Sequence, residues 1–200
     1  MIPPTLHRVV PEHTTAQVEE WWSEFGRLHP GWELRTWRDP LDPDEWETGD
    51  LFGRCTSGAQ LAGLVRLEVL WRHGGIYVDS DVEPYRPLHP LLSLDGFAAW
   101  EDANCVPDAV MGFCAGHPAV REMLGLARQR ICSQSTDWRT GSGAWATGPG
   151  VTTTVLPDRP DVLLLPPGSF YEVHYSQKDK LGQKPKPYEL ARHHWAHSWA

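Results

Sequence analysis

No stretch of apolar residues is long enough to span a bilayer. The amino terminus, Met1 to His13, lacks the apolar core of a secretory signal. Both absences lead to the expectation of a cytoplasmic protein without a transmembrane segment. Cysteine is sparse: Cys55, Cys105, Cys114 and Cys132 form no C-x-x-C pair, which speaks against zinc ligation and suits free thiols in a reducing compartment. Positive charge is also short. Eighteen Lys and Arg face 26 Asp and Glu, a net charge of −8, which disfavours a nucleic-acid binder without excluding a local basic patch. The segment after the first predicted strand has no glycine-rich loop bearing Lys or Arg, a feature a nucleotidyltransferase would carry.

What remains is 200 residues, 40% hydrophobic, with 18 glycines, 18 prolines and 11 tryptophans. That length fits one domain, 1–200, with a sizeable core and many turns. Most of the tryptophans are expected in packing, although indole faces also stack on sugar rings.

The pattern centres on Ser57 to Tyr85. Ser57 and Gln60 have capping-box spacing. The helix they open is apolar on nearly every side, which predicts burial. Gly74-Gly75 stops it, because glycine accepts the left-handed backbone of a helix end. Ile76-Tyr77-Val78 reads as a short core strand, and Asp79-Ser80-Asp81 lies at its carboxyl end, where open α/β sheets bind ligands. Residues i and i+2 of an extended chain share a side. Adjacent carboxylates repel unless a cation joins them. Mg2+ and Mn2+ take oxygen ligands and leave positions for substrate phosphates. An acidic turn without a metal is the simpler alternative for Asp-x-Asp alone.

Arg66 to Val82, RLEVLWRHGGIYVDSDV, resembles glycosyltransferases with a DXD sugar-binding motif, most of all family 32, with the large glucosylating toxins as more distant relatives. The resemblance implies an α/β GT-A (Rossmann-like) single domain, a mainly parallel twisted sheet flanked by helices. It implies a retaining enzyme that uses Mn2+ or Mg2+ and a nucleotide diphosphate sugar, UDP- or GDP-linked. The acceptor would be a glycan, a protein or a small molecule, with nucleic acid least favoured by the charge. A nucleotidyltransferase or a non-catalytic carbohydrate-binding module stands as the alternative.

The same resemblance assigns residues. Asp79 and Asp81 would hold the metal, and Arg66 would contact the donor sugar; these three form the expected catalytic set. The family usually carries Asp three residues before this arginine, where this chain has Gly63. His7, in the Ile-Pro-x-x-x-His opening, and Trp37, as a base-stacking residue, would neighbour the nucleotide, together with Tyr77 and Ser80. Glu101, Asp102 and Asn104 would border the acceptor, as would Thr147 and Gly148 at a helix start. The His-His-Trp and Ser-Trp tail would fold back, with His197 or His194 completing the metal shell and Ser198 and Trp199 reaching phosphate oxygens.

Elsewhere, periodicity predicts a first strand near Ile2–Val10 and a helix opened by Thr14 and Gln17 and closed near Gly26. Further strands follow at Trp32–Thr36, Phe97–Asp102, Val110–Ala115 and Val162–Pro167, and a helix opens at Pro118. Lys178, Lys180, Lys184 and Lys186 suggest a surface loop able to act as a lid.

Overall fold

The computed structural model describes residues 1–133, 143–180 and 184–196. A six-stranded sheet forms its centre. Strand β1 (Thr5–Val10) lies parallel to β2 (Glu33–Arg38) on one side and to β3 (Gly75–Val78) on the other. Beyond β3 come β6 (Val110–Phe113), β5 (Gly96–Ala99) and β7 (Leu163–Leu165). Strand β6 is antiparallel to both neighbours, and β5 and β7 are parallel. The expected mainly parallel sheet is therefore present, interrupted by one reversed strand.

Helices cover it: α1 (Ala16–Leu28), α2 (Gly58–His73), α3 (Pro118–Ser133) and the short α4 (Pro149–Val155). A small antiparallel pair, β4 (Val82–Pro84) with β8 (Ala191–His193), stands beside the main sheet. Among the described residues, no helix is long and apolar enough to cross a membrane.

Helix α2 is the central support. Ser57 caps it by accepting from Gln60 N, and Gln60 Oε1 accepts from Thr56 N at 2.7 Å. Leu64, Val65, Leu67, Val69 and Leu70 are all essentially unexposed, and each such side chain contributes roughly 1.5–3 kcal/mol by leaving water. Gly74 ends the helix at φ 65°. Gly75 follows at φ 94°, and a Cβ there would meet Thr5 O at 2.7 Å, so both glycines are required at this stop.

Helix α1 starts one residue later than the sequence suggests. Thr15, not Thr14, accepts from Val18 N, while Thr14 Oγ1 donates to Glu19. Gly26 does not stop the helix, which runs to Leu28; its absent side chain instead leaves room for Leu34, 3.3 Å from where a Cβ would sit.

Candidate active site

Strand β3 delivers its carboxyl end into a cleft of about 460 Å³, within the usual range for small-ligand sites. Asp79, Ser80 and Asp81 line it, with Arg66 from α2 and His193 from β8. Both aspartates are fixed before any ligand arrives. The Asp79 amide donates to Ala109 O at 2.8 Å. Asp79 Oδ1 accepts from Arg66 Nη2 at 2.5 Å and from the Tyr77 hydroxyl at 2.9 Å, leaving Oδ2 facing His193 Nε2 at 3.9 Å. Asp81 Oδ1 lies 3.1 Å from His193 Nε2, and its Oδ2 accepts from Ala196 N at 2.7 Å.

Three potential ligand atoms, one each from Asp79, Asp81 and His193, thus lie within 4.8 Å of one another. Ligands around an octahedral ion at about 2.1 Å are about 3 Å apart when neighbours and about 4.2 Å when opposite, so the three atoms would draw together on binding. Two carboxylates and an imidazole are a donor set that Mn2+ accepts readily and Mg2+ less so. The electrostatics agree. Burial pushes the Asp79 carboxyl up, and the Asp81 charge adds to this against the pull of Arg66. Burial also acts to raise Asp81, but His193 and the Ala196 amide outweigh it and hold Asp81 at about 2. A cation would relieve the crowding at Asp79. The residues therefore fit a divalent metal.

Arg66 is buried at 6% exposure. Its guanidinium packs over the Tyr77 ring at 4.4 Å and is clasped by Asp79 on one side and Asp108 on the other. A buried arginine needs such partners. Asp108 was not anticipated, because it sits in an irregular segment just before β6, far from the DXD stretch in sequence. An acid facing a strand whose neighbour ends in Asp79 was the available signal.

Other expected residues fall elsewhere. Tyr77 is wholly buried and supports Arg66 and Asp79 from behind rather than lining the cleft. His7 and Trp37 do not line it either. Trp37 Nε1 donates to His7 Nδ1 at 3.3 Å, His7 Nε2 donates to Gly74 O at 3.0 Å, and both rings stack with His73. Their rings turn toward the start of β3, where His7 Nε2 meets Gly74 O and lies against Gly75. Glu101 and Asp102 flank His174 at 3.6 and 3.5 Å, and the Asn104 amide closes a turn on Asp102. Thr147 and Gly148 stand behind the wall: Thr147 Oγ1 donates to Gln60 O at 2.8 Å, and Gly148 abuts Asp108.

His194 requires a correction. It points to Glu83, 2.8 Å away, and stacks on Trp21 at 4.5 Å. Successive residues of an extended chain face opposite sides. The pairing of β8 with β4 in the register Val82–His193 places His193, not His194, beside the aspartates. The adjacent His-His pair marked the region, and the three-residue strand chose between them. Trp195 follows at φ 55° and donates Nε1 to Val173 O at 3.1 Å, so the turn that brings the Ala196 amide to Asp81 is anchored. His197, Ser198 and Trp199 lie outside the described residues.

Comparison with known proteins points the same way. Residues 11–98 match the family described as a glycosyltransferase sugar-binding region containing a DXD motif. Inositol phosphoceramide mannosyltransferase 3 of Schizosaccharomyces pombe is 28% identical over 132 residues, covering 62% of this chain and 36% of that protein. Mannosyl phosphorylinositol ceramide synthase SUR1 of Saccharomyces cerevisiae is 29% identical over 129 residues, covering 59% and 32%. The matched region is thus about a third of each relative's length.

Among solved structures, the PaToxG glycosyltransferase aligns at TM-score 0.61 and 15% identity, over 78% of this chain and 69% of that one. An active-site mutant of LgtC aligns at 0.55 and 10%, over 94% and 86%. At these identities the structural likeness speaks for the GT-A fold. Residues 11–98 thus resemble a glycosyltransferase sugar-binding region with a DXD motif, and they do so on a GT-A fold.

Proposed function

We propose that this chain moves a sugar from a nucleoside diphosphate sugar to an acceptor, with a divalent metal, Mn2+ before Mg2+, held by Asp79, Asp81 and His193. The observation that carries this reading is the convergence of those three side chains in a cleft at the carboxyl end of β3. When bound, the metal would neutralise charge growing on the departing diphosphate. Asp81 and His193 orient each other. Arg66 and Tyr77 hold Asp79 Oδ1, so that Oδ2 stays turned toward His193. Preorganised groups of this kind need no rearrangement as charge develops.

Retention at the anomeric carbon is part of the proposal. Asp79 and Asp81 are committed to the metal cluster and Asp108 to Arg66. A front-face route, with the departing phosphate taking the acceptor proton, asks for no further carboxylate. Mannose, the sugar in the relatives' names, is among the first donor sugars to try, as a GDP or UDP conjugate. The acceptor is a glycan, a protein or a small molecule.

The test is nucleotide release from a donor panel in Mn2+, with Asp81→Asn beside the wild type. The expected result is metal-dependent release that falls about 100-fold or more in the variant, with an unchanged circular-dichroism spectrum. Full release by Asp81→Asn, or release untouched by chelator, would remove the reading.

A further inference from the structure

The polar side chains of the cleft gather at one end. Asp79, Ser80, Asp81, Asp108 and His193 line it where Arg66 of α2 reaches β3, and Tyr175 joins them across Trp195, whose ring lies 5.7 Å from that of Tyr175 and 4.1 Å from that of His193. From there the wall climbs α2 through Ala62 and Ala59, which at 1.5 Å per residue lie about 6 and 10 Å along the helix from Arg66. That span suits one sugar ring beyond the metal cluster. Pro107, Ala109, Trp145 and Pro149 also line the cleft, with Ala109 beside Asp79. Apart from the indole nitrogen of Trp145, these six side chains contain only carbon.

The polar groups behind this wall are already engaged. Thr147 Oγ1 donates to Gln60 O. Arg66 is shared between Asp79, Tyr77 and Asp108. Gly63 lies a turn from Ala59 on α2, and a Cβ there would come within 2.6 Å of Thr147 Oγ1 and 3.0 Å of Thr147 O. No side chain can grow from position 63 to meet a ligand hydroxyl. Among the described residues, therefore, the walls along this stretch of α2 offer a sugar ring mainly carbon.

We propose that the transferred sugar is a 6-deoxyhexose, seated against Ala59, Ala62, Ala109 and Trp145. This rests on the glycosyl-transfer reading above and narrows its donor. A hydroxyl pressed against carbon loses its water partners and gains none. A methyl group in the same place keeps the volume and gains apolar contact. The exocyclic carbon projects farthest from a pyranose ring, so its oxygen is the one such a wall penalises most. The indole of Trp145 suits the apolar face of the ring.

Matched donors isolate the effect. Calorimetry on the full chain in Mn2+ would compare GDP-mannose with GDP-6-deoxymannose, and UDP-glucose with UDP-6-deoxyglucose. The expected result is a Kd about tenfold lower for the deoxy member of at least one pair. Equal affinities, or tighter binding of the hydroxylated sugar in both pairs, would overturn the inference and leave the transferase reading standing. Failure of all four to bind would overturn both.

A variant then locates the sugar. Ala59→Asp places a carboxylate in the first turn of α2, which has no acid now and where the helix dipole favours one; the fold should tolerate it. It should improve the hydroxylated donor about tenfold relative to its deoxy partner. An unchanged ratio would show that the sugar does not sit against α2.

Discussion

His193 and His194 are neighbours in sequence with different surroundings: one meets Asp79 and Asp81, the other Glu83 and Trp21. His193→Ala should weaken Mn2+ binding, measured calorimetrically with nucleoside diphosphate present, by about 10- to 100-fold or more, since even outer-shell changes at metal sites cost that much. His194→Ala should leave the affinity within about threefold of wild type. The reverse pattern would reassign the ligand. The aspartates could be read from sequence as a pair, but not for the reason of a shared strand face: they lie in the turn between β3 and β4, closed by Val82 N donating to Asp79 O at 3.2 Å. The histidine could not, because its facing depends on the register of two three-residue strands, Val82–Pro84 and Ala191–His193, too short to leave a periodic pattern. Asp108 was hidden for a related reason: its contact with Arg66 joins elements 42 positions apart, 108 − 66, and no local spacing encodes it.

At the scale of the element, α2 shows which signals travel. Its cap at Ser57, its stop at Gly74 and its burial are local, and all three are in the sequence. What its polar residues grip is not local. Glu68, wholly buried, accepts from Glu47 N at 2.8 Å, Thr48 N at 2.9 Å and Thr48 Oγ1 at 2.6 Å, and pairs with Arg72 at 3.3 Å. This contact gathers the acidic stretch from Arg38 to Gly53, which on composition reads as a solvated loop, into two 3-10 turns, Pro43–Glu45 and Gly49–Arg54, folded against the helix. Glu68→Ala would strand those donors, and urea unfolding should show a loss of about 3 kcal/mol or more. A loss below about 1 kcal/mol would mean the loop is held by other contacts. Metal affinity should change little in this variant, because Glu68 lies outside the cleft.

For the molecule as a whole, His7 sets an acid limit. It joins β1 to the turn between α2 and β3 and to Trp37 of β2. The neutral ring satisfies both contacts, donating from Nε2 and accepting at Nδ1; a second proton would turn the Trp37 N–H against another donor. Burial, aided by Arg35, lowers its pKa to about 4. A histidine depressed in the folded state stabilises fully above its unfolded value near 6.5, and the contribution is lost as pH falls from there toward 4. Folding free energy should drop across that window by roughly 3 kcal/mol from this residue. His7→Phe should flatten that part of the profile in a pH series of denaturant midpoints. An identical slope would assign the acid sensitivity to other groups.

The third side chain of the proposed metal site, His193 of β8, lies 112 positions downstream of Asp81. On a ribosome adding about 5–20 residues per second, the two aspartates emerge several seconds or more before their histidine. Until that last strand pairs with Val82–Pro84, the growing polypeptide carries a pair of crowded acids without the imidazole that completes the cage. On the proposed reading, cation capture would then act as a completion signal, tightening only once translation has passed His193.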